Sequence, residues 1–491
     1  MRRIFSSPVF ALAVGLGLRL FFVLKFPTTS GDTVLYEQIA TNWLKHHVYA
    51  MDMQGALTPV DLRMPGYPAF LALIYAVTGR TAELARLWVM LAQIVVDLLS
   101  CIVIAAFAAG LLVVADKGGS LKRVFTGALW LAVLCPFTAN YTAVVLTETI
   151  TVFLTAAAML LLTGVAANSY DLVFPKPRRR WESNWSEDFR FFACASGLAV
   201  GFGTLFRPET PLLLVAAWIG NAFVLLPHGR AKHLLRIVLY SGIACVVPLV
   251  PWAIRNAVTF HEVQFLAPKY SNLPGELVPY GFMAWEKTWL YRVRDCYLVP
   301  WKLNEEPIDV DTIPARAFDS PEEKQQVATI LEPYNDDLTL TKEEDDAFGQ
   351  IARERTVRHP LRTYLWIPTA RAVAIWFTPR IELLPISGNV FPLAYMREED
   401  PVDQEFTSLL FVLNVFYVGL GAWGAVKLWR LGAAVRPVVA FLILFMLLRT
   451  AFLITLETPE PRYVLVCFPA LIAIGAQLFA QKGGEPSPSK A

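Results

Sequence analysis

Apolar runs of roughly twenty residues recur along this chain, and no other feature limits its fold so strongly. Runs of that kind read as membrane-spanning helices, because hydrocarbon offers no partner to a bare backbone N–H or C=O. Ten can be marked: 4–26, 85–114, 124–143, 149–167, 191–206, 210–227, 237–254, 406–426, 437–456 and 463–480. Of the 491 residues, 55% are hydrophobic and 17% charged, against about 25% charged in soluble domains. The expected fold class is an all-α polytopic membrane protein. It would be a bundle of about ten transmembrane helices with juxtamembrane helices and a small extracytoplasmic lobe.

The short loops 116–123, 175–190, 228–236 and 427–436 are rich in Lys and Arg, among them Lys176 and Arg178 to Arg180. Positive charge collects on the cytoplasmic side. Parity then places 27–84, 140–148, 207–209, 255–405 and 457–462 outside, with both ends of the chain in the cytoplasm. The first run follows Arg2-Arg3 but contains Arg19 and Lys25 and has no small-residue cleavage site before Asp32. It reads as a retained anchor. The apolar piece 66–78 is too short to cross and is expected to be interfacial or re-entrant. Arg362 and Arg371 interrupt 361–378, and Trp366 and Trp376 suit an interface, so a juxtamembrane helix on the outer face is expected there.

Four regions follow. Residues 1–256 form an N-terminal transmembrane catalytic core with the first outer loop, 27–84. Residues 257–360 form an extracytoplasmic lobe, with 15 acidic and 7 basic residues between 301 and 360 and helix-like pieces near 321–332 and 343–358. Residues 361–481 carry the juxtamembrane helix and the C-terminal spans. The Pro/Gly/Ser-rich tail 482–491 is expected to be disordered.

Five of the six cysteines sit in or beside apolar runs, and no CxxC occurs, which argues against a disulfide framework or a zinc knuckle. The histidines show no HExxH spacing. His261 is the best of weak metal candidates, so a divalent metal stays open and no cofactor is implied. Asp97 lies inside a span and invites a partner on another helix. The outer ends of the spans carry both signs of charge, which topology alone does not require. They hold Asp32 and Arg63, Glu148, Arg207 and Glu209, Arg255 and Asn256, and Glu457, Glu460 and Arg462. Plainer readings exist. Asp32 could cap a helix, Glu148 could answer a helix dipole, and the arginines could snorkel to headgroups.

These pieces, in order, resemble the integral-membrane glycosyltransferases of the GT-C fold, especially those related to protein O-mannosyltransferases and lipid A aminoarabinose transferases. The matching stretches are Gly31-Asp32 to Tyr36 and Ile39-Ala40, Arg63-Met64-Pro65-Gly66-Tyr67-Pro68, Thr147-Glu148-Thr149, Phe206-Arg207-Pro208-Glu209, Pro251-Trp252 to Arg255-Asn256, and Glu460-Pro461-Arg462-Tyr463. The chain departs from the mannosyltransferases in having Thr33 after Asp32, and from the aminoarabinose transferases in having Pro65-Gly66 where they have two prolines. The resemblance implies transfer of a sugar from a polyprenyl-phosphate carrier to a glycan, lipid or protein acceptor outside a bacterial inner membrane. No nucleic-acid partner is expected. Asp32 would be the base and Glu148 the second acidic position. Arg63, Arg207, Arg255 and Arg462 would hold the donor phosphate, because planar guanidinium donors match phosphate oxygens. Tyr36, Tyr67, Glu209, Asn256, Glu460 and Tyr463 would contact substrate. A lipid-linked sugar transporter or flippase, and a polysaccharide ligase or polymerase, are the alternative functions.

Overall fold

The computed structural model describes residues 7–53, 55–115, 120–175, 189–270, 276–378, 384, 386 and 401–480. Most of the basic loop 175–190, residues 116–119 of the one before it, and the tail 482–491 lie outside the described residues. The first half of the chain holds α1 (Pro8–Lys25), α2 (Gly31–His46), the hairpin strands β1 (Ala50–Met53) and β2 (Ala56–Pro59), and α3 (Gly66–Thr78). Then come α4 (Arg86–Val114), α5 (Leu121–Val133), α6 (Pro136–Asn140), α7 (Glu148–Val173), α8 (Phe189–Thr204), α9 (Leu212–Leu225), α10 (Ala231–Val246) and α11 (Val250–Phe260). The remainder holds α12 (Tyr280–Glu286), α13 (Pro321–Asp337), α14 (Lys342–Arg358), α15 (Ile367–Phe377), α16 (Pro401–Leu431), α17 (Arg436–Leu453) and α18 (Phe468–Gly475), with short helical turns between.

Among the described residues, 7 helices are long and apolar enough to cross a membrane, or up to 8 if the bent pair Leu121–Val133 and Pro136–Ala143 is one span. The expected spans 191–206 and 210–227 form α8 and α9, of 16 and 14 residues, less than the roughly twenty a crossing needs. Among the described residues the helices of spanning length thus number 7 or 8, with α8 and α9 as two shorter apolar helices beside them. The turn between them, with Pro208 and Pro211, ends α8 at Thr204 and delays α9 to Leu212.

The bend between α5 and α6 has a local cause. Pro136 has no N–H to offer Ala132, so the helix opens and its last carbonyls need other donors. Arg19, from the middle of α1, supplies them. Its Nη1 donates to Val133 C=O at 2.6 Å and to Gly15 C=O at 3.0 Å, and its Nη2 reaches Ala132 C=O at 3.5 Å. Its Nε donates to Asp97 Oδ2 at 2.6 Å on α4. Both side chains are buried. A Cβ on Gly15 would stand 2.8 Å from Val133 Cβ, so a glycine is what lets α1 approach the bend. One arginine thus ties three apolar helices.

The chain divides into two compact units. The first is 1–268, 381–448 and 465–491; the second is 269–380 and 449–464. Most of the stretch expected to form a lobe falls in the second unit. Its core gathers Phe282, Trp285, Trp289, Val327, Leu331 and Phe348. Ser320 caps α13 by accepting from Glu323 N–H, and Thr341 with Glu344 makes a reciprocal capping box on α14. Arg355 is buried against Glu323 and Thr288, while Arg358 and Arg362 hold Asp319. The 361–378 piece is a single wide turn, Arg362–Trp366, followed by α15. Its Arg371 is buried and donates to the carbonyls of Leu290, Ile454, Leu456 and Glu457. Glu286 is buried too, and its Oε1 has no hydrogen-bond partner. Burial pushes this carboxyl well above the usual range, although Arg371 pulls the other way.

Replacing Arg19 with Leu strands the Asp97 carboxylate and the Val133 carbonyl, which should cost about 3–5 kcal/mol. The expected result is loss of the monodisperse peak on size exclusion in detergent. The double change Arg19→Leu with Asp97→Leu should recover part of it. Glu286→Gln should raise the apparent melting temperature at neutral pH. There the unfolded chain ionises Glu286 freely and the folded one does not. The gain should fade as pH falls below the ordinary carboxylate range, where both states hold the proton. A gain that grows on acidification would contradict the assigned direction.

Candidate functional site

Two segments run side by side in the first unit. Thr28 N–H donates to Ala143 C=O at 3.1 Å, and Thr28 forms a parallel bridge with Val144. Five residues on, Thr33 Oγ1 donates to Val145 C=O at 3.1 Å and accepts from Ser30 N–H at 3.0 Å. Ser30 therefore occupies the cap of α2, and the capping role open to Asp32 falls to it. Asp32 lies in the first turn instead, where the helix dipole favours a carboxylate. Glu148 is the first residue of α7 and gains the same benefit. The paired segments therefore bring two helix starts together, each with one carboxylate.

Each carboxylate has its own arginine. Arg63 Nη2 donates to Asp32 Oδ1 at 2.7 Å, and Arg207 Nη2 donates to Glu148 Oε1 at 2.5 Å. Arg207 Nε also donates to Thr147 Oγ1 at 3.1 Å. Exposure separates the two pairs. The Asp32 side chain is 29% exposed and that of Glu148 only 4%. Tyr36, one turn past Asp32, feels both pairs. Burial, with Asp32 beside it, pushes its phenol up to about 12, while Arg63 and Arg207 pull it down.

The hairpin explains how Arg63 reaches Asp32. β1 and β2 pair antiparallel with Ala50 opposite Pro59, folding the first loop back on itself. Just before β1, Tyr49 donates its hydroxyl to Arg63 C=O at 2.8 Å. Its own carbonyl accepts from Arg255 Nη2 at 2.8 Å. Arg255 also donates to Asn256 Oδ1 at 2.9 Å and stands over the rings of Tyr49, Trp252 and Phe260. It ion-pairs with no carboxylate among the described residues, so its charge is held by neutral partners. Asn256 is buried and donates to Gln264 C=O. Glu209 is half-buried in the turn that carries Arg207.

Tyr67 is fully buried, stacked edge-on against Tyr36 at 5.1 Å, and donates its hydroxyl to Gln93 Oε1 at 2.8 Å. Nothing in the sequence pattern marks Gln93, a lone amide in an apolar helix. Its Nε2 reaches the carbonyls of Thr142 at 3.2 Å and Val144 at 2.8 Å, so it holds the 141–148 segment from the α4 side. Glu37 and Arg86, also unmarked, form a bidentate pair of two 2.8 Å bonds between α2 and α4.

Glu460, Arg462 and Tyr463 belong to the second unit. There Glu460 ion-pairs with Arg462 and accepts from the Tyr463 hydroxyl at 2.6 Å. His261 is exposed at the C-terminal end of α11, in the left-handed backbone region. Among the described residues no group of three His, Cys, Asp or Glu side chains could hold a metal ion.

No protein-family profile and no curated protein matches the chain. Among solved structures, it is similar to the oligosaccharyltransferase AglB from Archaeoglobus fulgidus in complex with an inhibitory peptide and a dolichol-phosphate. The two are 11% identical, with a TM-score of 0.47 over 96% of this chain and 49% of that one. It is also similar to ArnT from Cupriavidus metallidurans bound to undecaprenyl phosphate, at 12% identity and a TM-score of 0.38 over 95% and 77% of the two chains. The chain spans about half the length of the archaeal protein. At this degree of likeness, function is read from the chain's own residues.

Gly66 shows how closely the site is packed. Its N–H donates to Leu205 C=O at 2.8 Å, and a Cβ there would meet that oxygen at 2.6 Å. Gly66→Ala must push α3 away from the turn bearing Arg207. It should lower stability by about 1–3 kcal/mol, read as a fall in apparent melting temperature; an unchanged value would show that α3 moves freely.

Proposed function

We propose that the chain is an integral-membrane glycosyltransferase of the GT-C kind. It moves a sugar from a polyprenyl-phosphate carrier to an acceptor at the extracytoplasmic face. The observation that carries this reading is the cluster of Asp32–Arg63 and Glu148–Arg207 about Tyr36, at helix starts beside apolar helices. A lipid-linked sugar has its reacting bond at headgroup depth and its tail in hydrocarbon, which suits charged groups at the ends of membrane helices.

Exposure divides the roles. Asp32, the open carboxylate, is the base that takes the proton from the acceptor hydroxyl as its oxygen attacks the anomeric carbon. The carrier phosphate leaves with the bonding electrons, so no separate acid is needed and the anomeric centre inverts. Glu148, nearly closed off, anchors Arg207 instead of exchanging protons. The leaving phosphate needs cationic donors in place before charge develops on it. Arg63 and Arg207 each spend charge on a carboxylate. Arg255, held by a carbonyl, an amide and three rings, brings a charge with no carboxylate partner among the described residues to Tyr49, whose hydroxyl bonds Arg63 C=O. The lobe formed by 257–360 selects the acceptor, with Glu460, Arg462 and Tyr463 contributing from its unit. Residues 361–378 lie along the outer membrane surface, supported by the exposure of Tyr364 and Trp366.

The test is the protein in lipid nanodiscs, supplied with polyprenyl-monophosphate sugars and candidate acceptors. Release of free carrier phosphate with sugar transfer is expected, and Asp32→Asn should lower turnover about 10²-fold without loss of folded protein. Near-normal turnover in that variant would remove Asp32 as the base. A donor that only changes leaflet would replace the transferase with a flippase.

A further inference from the structure

The two carboxylates sit on different helices, and a buried hydroxyl beside Asp32 binds the segment that leads to Glu148. We propose that Thr33 is a positioning residue, whose side chain sets the separation of the Asp32 and Glu148 carboxyl groups. The inference rests on the transferase reading above for its effect on rate, but the tie itself does not.

Thr33 is fully buried. Its Oγ1 uses both capacities of a hydroxyl, accepting from Ser30 N–H and donating to Val145 C=O. The first bond closes the turn that presents Asp32. The second grips the backbone three residues before Glu148. The backbone pairing between these segments, Thr28 N–H to Ala143 C=O within the parallel bridge to Val144, lies at their far end. Thr33 adds a second attachment five residues on, next to Asp32. On its opposite side the 141–148 segment is held by Gln93, so Thr33 closes against a fixed element. Being β-branched, threonine also has few side-chain rotamers to choose from, which suits a spacer. Its hydroxyl hydrogen is spent on Val145, and it touches neither Arg63 nor Arg207 through any bond described. Its influence on the chemistry therefore passes through Asp32 and Glu148.

Thr33→Val keeps the shape and loses both bonds. Thr33→Ser keeps the bonds and loses only a methyl group. A shift of about 1 Å in a reacting group can cost on the order of 10²-fold in rate. Thr33→Val should therefore lower kcat by between about tenfold and a hundredfold, leave KM for the lipid donor near its wild-type value, and be rescued by Thr33→Ser. Hydrogen exchange in nanodiscs should show faster exchange in peptides covering 28–33 and 143–149 for the Val variant alone. This readout needs no substrate. Thermal unfolding of all three proteins separates a local shift from general loss of fold. A Val variant with wild-type exchange, or one with faster exchange but wild-type kcat, overturns the proposal. So does a Ser variant as slow as Val. If the wild-type chain transfers no sugar while exchange responds as described, the reaction proposed above fails and the positioning role falls with it, the tie alone surviving.

Discussion

A membrane will not tolerate a broken helix whose carbonyls go unanswered, and in this chain the break at Pro136 is answered by Arg19. The consequence runs further than the bend. Because the helix opens there, α6 turns by 48° and the chain that follows lies across the start of α2 instead of continuing as a straight span. That is what brings 143–148 beside 28–33, and with it Glu148 beside Asp32. Arg19 could not do this alone. Its charge is matched by Asp97, at the cost of burying two ions that a hydrophobic pair would spare. The pair is worth keeping where an arginine must stay charged to donate to three carbonyls at once.

The first loop solves a second geometric problem. Asp32 and Arg63 are 31 residues apart in sequence yet in contact. A short hairpin takes up the slack, and Tyr49 pins both Arg63 and Arg255 from opposite ends of one residue. The network is layered. Backbone bonds fix the segments, buried amides and hydroxyls fix the backbone, and the arginines are aimed last.

Much of the bundle was legible because apolar runs and lysine-rich loops obey strong physical rules. Asp32, Arg63, Glu148 and Arg207 were singled out because they stand where a helix end meets polar chain, and the structure places them in two ion pairs. Other features had weaker signals. The run 210–227 is longer than α9, because it begins inside the turn that Pro208 and Pro211 cut, while α8 has the expected length displaced by two residues. The proline at 136, inside an apolar run, did carry a usable warning of the bend. The hairpin at 50–59 is too short to show alternation. Gln93 and Thr33 could not be found from pattern, because one amide or one hydroxyl is common in membrane helices and only its partners give it meaning. Thr33 is instructive in another way. In sequence it registers as a departure from the mannosyltransferase motif; in space its hydroxyl bonds the start of α2 to Val145.

Charge balance bears on the reaction proposed for the cluster. Asp32, Glu148, Arg63 and Arg207 sum to zero before any substrate arrives. A carrier phosphate adds negative charge, and cleavage adds more. Arg255, whose described partners are neutral, is a cation the proposed reaction can draw on. Of the two pairs, Asp32 with Arg63 is the more exposed and so the more open to an incoming substrate. In the proposed reaction a donor phosphate that draws on Arg63 does so at the open side of the cluster, where Asp32 would meet the acceptor hydroxyl.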